Sequence, residues 1–409
     1  MNKKITRAHA WLMYIVAASF YFYDFILKLI PAIMMNNIMN RLQIGPNQFG
    51  MVELSFFAIY TPMQLFCGPL LDEYGAKRIL PSVIALCLVG TMLSGYTSDF
   101  YTYVFARLLI GFGSAFAFVS VLKIASEWLP KRYYPLLAGL TTTFGMLGGI
   151  FSESIAPAFN QYHQFYFYSL IIIVGVVLFI LAVATIEDKE SHDDTPLDAS
   201  LLLKDIWTVL RKPQIWIAGM IGMTMFSPIQ LFVAWAIQFF QQDLGTTEIT
   251  AGNITSMMFW GACVIAPLFG WLAGEITHKK RLLIVGTTLS LGGMLAILFS
   301  AQTGVISSML LMFVVGSGIA AQPLVFVYAS RQVNLHLTAT AVAVTNFIVN
   351  LSSFLQPYIG AQLVEVSRHS YDLTSWRNAL SIIPALLAIN YLFIYKLDEI
   401  QYDSEETGN

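Results

Sequence analysis

Gly68-Pro69-Leu70-Leu71-Asp72-Glu73-Tyr74-Gly75-Ala76-Lys77-Arg78 closes one long apolar run and opens the next with a tight, charged turn. A connection this short between two membrane-length helices needs glycine where the backbones crowd. It also sets an acid and two bases where the helix ends meet water, and bases gather on the cytoplasmic side of a membrane. The rest of the chain agrees with that reading. Its 409 residues are 57% hydrophobic and 11% charged, with a mean hydropathy of +0.67, whereas soluble domains carry roughly 25% charged residues. The expected fold class is an all-α membrane protein, and the 14% aromatic content suits two lipid–water interfaces. A net charge of −2 gives no reason to expect nucleic acid as a partner. Cys67, Cys87 and Cys263 are odd in number, lie inside apolar runs and lack metal-ligand spacing, so neither a disulfide framework, a metal site nor another cofactor is expected.

About 20 apolar residues cross a bilayer as a helix, and runs of that kind fall into two groups of six. The first group covers 11–35, 48–71, 79–96, 100–122, 136–159 and 166–186; the second covers 215–240, 251–273, 282–301, 305–329, 338–364 and 379–395. The expected organisation is a first six-helix half over 1–186, a cytoplasmic linker over 187–213, and a second half with a short polar tail over 214–409. The linker begins with an acidic run, and its stretch 202–210 has apolar residues at helical spacing, which predicts a helix along the membrane surface. Lys77, Arg78, Lys131, Arg132, Lys279, Lys280 and Arg281 share one side of this arrangement, while Arg41, Arg368 and Arg377 fall on the other. That bias predicts two cytoplasmic termini; the expected location is a bacterial inner membrane, which the charge pattern does not distinguish from an organelle membrane. The first run follows a basic N-terminus but is too long for a signal peptide, carries Asp24 and Lys28, and is expected to stay in the mature protein.

The halves repeat. A shift of 202 carries Gly68 to Gly270 and Lys77 to Lys279, while the Asp72 position becomes Gly274. In the fourth span of each half, Gly111-Phe112-Gly113 corresponds to Gly316-Ser317-Gly318.

The turn's pattern G-x-L-x-D-x-x-G-x-[KR]-[KR] resembles the signature loop of the major facilitator superfamily, and Arg107 with Gly111 and Gly113 resembles a second motif of that superfamily. The resemblance implies twelve transmembrane helices in two six-helix halves, with the substrate site between them near the bilayer midplane. It also implies that Gly68, Asp72, Gly75, Lys77 and Arg78 form a cytoplasmic gating latch. At finer grain, the stretch 21–32, with Tyr21, Phe22 and Tyr23 before Asp24 and with Pro31 beyond, is similar to the first span of bacterial intraphagosomal amino-acid transporters and lysosomal dipeptide transporters. Two features depart from related patterns. Families that bind organic anions through an Asp-Arg pair in this span have no match, because Phe25 follows Asp24. The glycine-proline motif of antiporters is also missing, since Gly145-Met146-Leu147-Gly148-Gly149 meets no proline before Pro157, which argues against export.

Charges inside a bilayer cost several kcal/mol each and usually face a cavity or a partner. Asp24 and Lys28, four apart, share one face of span 1. Arg107 lies in span 4, and Glu53 and Glu153 lie toward the outer ends of spans 2 and 5. The second half offers neutral groups instead: Gln230, Trp235, Gln238, Trp260, Gln322, Tyr328, Asn346, Asn350 and Gln356. The substrate-binding candidates are Asp24, Lys28, Arg107, Tyr21, Gln230, Trp235, Asn346 and Asn350; the proton-coupling candidates are Glu153 and Asp24. Each has a plainer reading. Asp24 and Lys28 would neutralise each other, Arg107 would anchor helices, and the amides would hold helices together.

A zwitterion needs a base for its carboxylate and an acid for its ammonium. The expected function is therefore import of an amino acid or short peptide by alternating access, coupled to protons, in a monomer whose other partners are lipids. The competing readings are efflux or transport of a siderophore, drug or organic anion, and a nutrient sensor on a transporter fold. An enzyme is not expected: His9, His163, His192, His278, His336 and His369 all fall at span ends or in loops.

Overall fold

The structure is a computed structural model, and it describes residues 6–154, 164–189, 199–275, 278–300, 304–355 and 373–399. Among the described residues every regular element is helical. The first group of helices is α1 (Arg7–Ile33), α2 (Met35–Leu42), α3 (Pro46–Tyr74), α4 (Ala76–Tyr96), α5 (Phe100–Ser114), α6 (Ala117–Trp128), α7 (Tyr134–Ser154) and α8 (Gln164–Thr185). The connector carries α9 (Ala199–Leu210). The second group is α10 (Pro213–Ser227), α11 (Val233–Leu244), α12 (Glu248–Glu275), α13 (Lys280–Phe299), α14 (Val305–Ile319), α15 (Leu324–Ser330), α16 (Thr338–Asn350), α17 (Leu373–Leu380) and α18 (Ile382–Lys396). Among the described residues, twelve helical stretches are long and apolar enough to cross a membrane, and they follow the twelve runs in the sequence. The predicted ends of the fifth and eleventh spans, with Gln356, lie outside the described residues, as do the side chains of Glu53, Glu153 and Gln238.

The chain folds as two compact units. Unit one comprises Met1–Lys131, Thr141–Val209 and Leu335–Phe347; unit two comprises Arg132–Leu140, Leu210–Asn334 and Ile348–Asn409. Unit one therefore takes in the start of α16 along with the first six spans. Unit two is organised on an apolar cluster that includes Phe232, Phe239, Phe240, Met258, Met294, Val315 and Leu387, all fully or almost fully buried.

The sequence repeat has a packing basis. A Cβ added at Gly111 would meet the Phe56 carbonyl at 2.5 Å, and one at Gly316 would run into the Met258 carbonyl. A Cβ at Gly113 would meet Cys87 Sγ at 2.5 Å, while one at Gly318 would run into the Gly286 carbonyl and Ser290 Oγ. In each unit, then, the first glycine lets the fourth span of its half lie against the second, and the next lets it lie against the third. Small residues permit this approach where apolar burial supplies no driving force between helices. Both helices break just beyond the pair, α5 at Ser114 and α14 at Ile319.

The turn after α3 is equally specific. Gly75 has φ of +75°, a region that disfavours side chains. With no side chain of its own to cap α4, it leaves space for Asp188 from beyond α8, whose carboxylate accepts the Lys77 N–H at 3.0 Å. The side chains of Lys77 and Arg78 are exposed.

Candidate functional site

Unit one gathers the charged candidates around Phe56 and Tyr60 of α3. Pro31 lies within α1 and has no N–H to donate to the Leu27 carbonyl one turn back. Arg107 of α5 takes that place: its Nη1 donates to Leu27 O at 3.0 Å. The guanidinium, 1% exposed, also stands 4.7 Å from the centre of the Phe56 ring. Arg107 is thus bonded to the backbone of span 1.

Lys28, one turn before the level of Pro31, does not pair with Asp24 within 4.0 Å, and no other acid among the described residues pairs with it. Its Nζ lies 5.2 Å from the centre of the Tyr60 ring, 5.5 Å from Phe57 and 5.9 Å from Phe25. Rings oriented this way attract a cation through their π faces. The neutralising pair of the plainer reading is therefore absent in this conformation, because the longer side chain has turned toward α3. Asp24 is 2% exposed, and Ser114 of α5 stands beside its carboxylate. Tyr21 packs edge-on against Phe25 at 5.2 Å and is tilted against Phe118 at 5.3 Å. A Cβ at Gly145 of α7 would meet it at 2.6 Å.

Phe56, Tyr60, Gln64, Gly68 and Asp72 recur every four residues, so they form one slowly turning stripe along α3. Phe56 lies beside Arg107 and stacks on Tyr60, which lies beside Lys28. Gln64 accepts from Asn346 Nδ2 at 2.8 Å. A Cβ at Gly68 would crowd Ala343 and Thr340, each at 2.6 Å. Asp72 closes the row, with Oδ2 accepting both the N–H and the hydroxyl of Thr340 at 2.9 Å. Its Oδ1 pairs with Lys123 of α6 at 2.8 Å, and Lys123 also reaches Glu127 at 2.8 Å. Partner numbers on α16 fall as those on α3 rise, so these two helices run antiparallel.

Other candidates belong to unit two. Pro228–Phe232 forms a π-helical turn between α10 and α11, and Gln230 within it donates to Asn350 Oδ1 at 2.8 Å. Such turns often accompany functional positions. Trp235 follows on α11, and its buried indole N–H has no acceptor. The structure thus gathers Tyr21, Asp24, Lys28, Arg107 and Asn346 in unit one, and Gln230, Trp235 and Asn350 in unit two. Tyr60, Gln64, Lys123, Asp188 and Thr340 were not among the candidates. For the first two, the four-residue spacing ending at Asp72 was the available signal.

A sequence profile described as the Major Facilitator Superfamily matches residues 11–357. The chain belongs to the major facilitator superfamily. A major facilitator is a secondary transporter of small solutes, and this one is an integral, multi-pass membrane protein with twelve spans. Its family and fold are those of transporters, not of enzymes. The crystal structure of the Escherichia coli fucose:proton symporter FucP has the same fold, with a TM-score of 0.71 at 12% identity over 95% of this chain and 98% of that one. The sialic acid transporter NanX of Escherichia coli K12 is 25% identical over 226 residues, 54% of each protein. The probable sulfoacetate transporter SauU of Cupriavidus necator is 26% identical over 118 residues, 29% of this chain and 27% of its own. The hexuronate transporter of Bacillus subtilis is 26% identical over 159 residues, 37% of this chain and 36% of its own. This major facilitator therefore spans about half or less of the length of each relative it matches.

Proposed function

We propose that this major facilitator imports a small solute bearing a carboxylate, coupled to proton entry. The observation that carries the reading is Lys28. Its ammonium is held among three aromatic rings, 5.2 to 5.9 Å from their centres, with no carboxylate within 4.0 Å among the described residues. A cation partly withdrawn from water is costly unless an anion meets it, and an incoming carboxylate would be that anion. Among the described side chains, Lys28 and Arg107 against Asp24 also leave one positive charge in excess. The names of the relatives, which denote sulfoacetate, sialic acid and hexuronate, support an acidic solute.

A second reading, an amino acid or short peptide, is favoured by Asp24. Its buried carboxylate, beside Ser114, would receive a substrate ammonium while Lys28 and Arg107 receive the carboxylate. In either case Asp24 would be the proton-coupling group, with Glu153 the other candidate. In the transport cycle, the Asp72–Thr340 contact would hold span 11 against span 2 in one state and release it in the next.

The deciding experiment is thermal stabilisation of the detergent-purified protein by sialic acid, glucuronate, sulfoacetate, amino acids, dipeptides and a siderophore, because a ligand of the folded state raises its melting temperature. Shifts with carboxylates that vanish in Lys28→Ala are expected. Selective shifts with zwitterions that also vanish in Asp24→Asn would support the second reading. Shifts with the siderophore alone would overturn both in favour of efflux. Uptake into proteoliposomes with and without an imposed pH gradient tests direction and coupling.

A further inference from the structure

α9 ends at Leu210, and α10, which opens the seventh span, begins at Pro213. Only Arg211 and Lys212 lie between them, so the end of α9 is held at the edge of the bilayer. Trp216 in the first turn of α10 fixes that junction. Its indole N–H donates at 2.8 Å to the Leu210 carbonyl, one of the acceptors that a helix end leaves unmet.

Four sides of α9 differ in kind. At 3.6 residues per turn, Leu203 and Trp207 share one side, and they are 56% and 57% exposed. About a third of a turn away in one direction stand Ile206 and Val209, both buried against the protein. About a third of a turn away in the other direction stand Lys204 and Thr208, both exposed, and Arg211 follows two turns after Lys204, exposed as well. Asp205, the acid of this helix, falls on the side opposite Leu203 and Trp207.

These sides fit one setting. An exposed leucine and tryptophan at the level where a span begins face lipid, and tryptophan favours the lipid–water boundary. With that pair directed into the bilayer, Asp205 points away from it. Lys204 and Arg211 then lie along the membrane plane at the height of the headgroups, with their apolar stems against lipid. Leucine and tryptophan on one side and bases on the next make a helix that binds anionic lipid surfaces.

We infer that α9 is a binding site for anionic phospholipid, with Leu203 and Trp207 among the acyl chains and Lys204 and Arg211 on the headgroup phosphate. The occupant is a lipid and not a soluble phosphate because the bases adjoin an apolar side that acyl chains cover. Anionic lipid in this place ties the connector of the two halves to the membrane.

The test uses the purified full-length protein in mixed micelles. Phosphatidylglycerol or phosphatidylcholine is titrated while the melting temperature is followed, since a ligand of the folded state raises it. Phosphatidylglycerol is expected to stabilise wild type at a lower mole fraction than phosphatidylcholine. A base at an anionic surface is worth about fivefold in affinity, so Lys204→Gln/Arg211→Gln is expected to weaken the phosphatidylglycerol response about thirtyfold. An unchanged response to phosphatidylcholine shows that the variant is folded. If it does not fold, Lys204→Gln alone is read in the same way, with about a fivefold loss expected. Lys204→Arg/Arg211→Lys, which keeps both charges, is expected to behave as wild type. Arg281→Gln/Lys396→Gln removes two exposed bases at other span ends and is expected to shift the response by less than about twofold, well under the effect of one interfacial base. Equal responses of wild type to the two lipids would overturn the inference. So would a loss in the Arg281/Lys396 pair as large as in the α9 pair, or equal stabilisation by sn-glycerol 3-phosphate.

Discussion

Asp72 and Thr340 stand 268 positions apart, and Thr340 donates both its backbone N–H and its hydroxyl to the same carboxylate oxygen at 2.9 Å. Thr340 lies in the first turn of α16, where unpaired N–H groups and the helix dipole favour an anion. The other oxygen of Asp72 pairs with Lys123, so one side chain caps a helix of the second half of the sequence while tied to a helix of the first. Asp72→Ala strips both contacts and leaves Lys123 with Glu127 alone. We expect a loss of about 3 kcal/mol, read as a lowered melting temperature. Thr340→Val removes only the hydroxyl bond, and we expect about 1 kcal/mol.

Gly68 sits where α3 packs against α16. Gly68→Val places branched carbon against Ala343 and the backbone at Thr340, which a Cβ alone would approach to 2.6 Å. Overpacking of this kind costs about 1–3 kcal/mol, so the variant is expected to unfold at lower temperature. Gly252 in α12 is the control, with nothing within 4 Å of a Cβ. Gly252→Ala is expected to be neutral or stabilising by up to about 1 kcal/mol, since alanine favours the helix.

Pro31 and Arg107 form a complementary pair, the one freeing the Leu27 carbonyl and the other filling it at 3.0 Å. Arg107→Lys keeps the charge but loses the planar fork and the ring contact with Phe56, and the two bases are not interchangeable at such sites. We expect carboxylate affinity to fall about tenfold, the effect of losing roughly 1.4 kcal/mol. Pro31→Ala supplies the missing N–H to Leu27, which would then compete with Arg107; a smaller fall in affinity is expected in the same binding assay.

Asp99 caps α5 outside the spans, with Oδ2 accepting the Thr102 N–H at 2.7 Å and its hydroxyl at 2.8 Å. These bonds to the charged form hold its pKa below the ordinary carboxylate value of 3.8. A group whose pKa is lowered by folding contributes stability that is present above the unfolded pKa and lost as pH falls through the folded one. Wild type should therefore exceed Asp99→Asn in melting temperature at neutral pH, with the difference shrinking as the pH drops below about 4. A gap that stays constant across that range would refute the assignment.

Most of the fold was legible because lipid leaves a chain few options. Apolar runs of span length must be helices, and the sequence at 68–78 marks where two of them turn. The paired glycines at 111 and 113 announced a repeat whose packing the structure supplies. The site was legible only as an inventory. Asp24, Lys28 and Arg107 stood out as charges in apolar surroundings, but spacing on α1 implied that Asp24 and Lys28 meet. That inference counts positions on one helix and is blind to the rings of Phe57 and Tyr60 on another. Thr340 and Asp188 escaped notice for a related reason: each completes a contact with a residue far away in sequence, and neither is unusual in its own surroundings.

The placement of Leu335–Phe347 in unit one has a consequence for how this chain may be divided. A polypeptide ending at residue 186 would carry Gln64, Gly68 and Asp72 without Asn346, Ala343 and Thr340, the residues they meet. Severed within the 187–213 connector and synthesised as two pieces, the protein would be interlaced rather than modular. Neither fragment would reproduce its native packing in isolation, and function would return only when both are made together in one membrane.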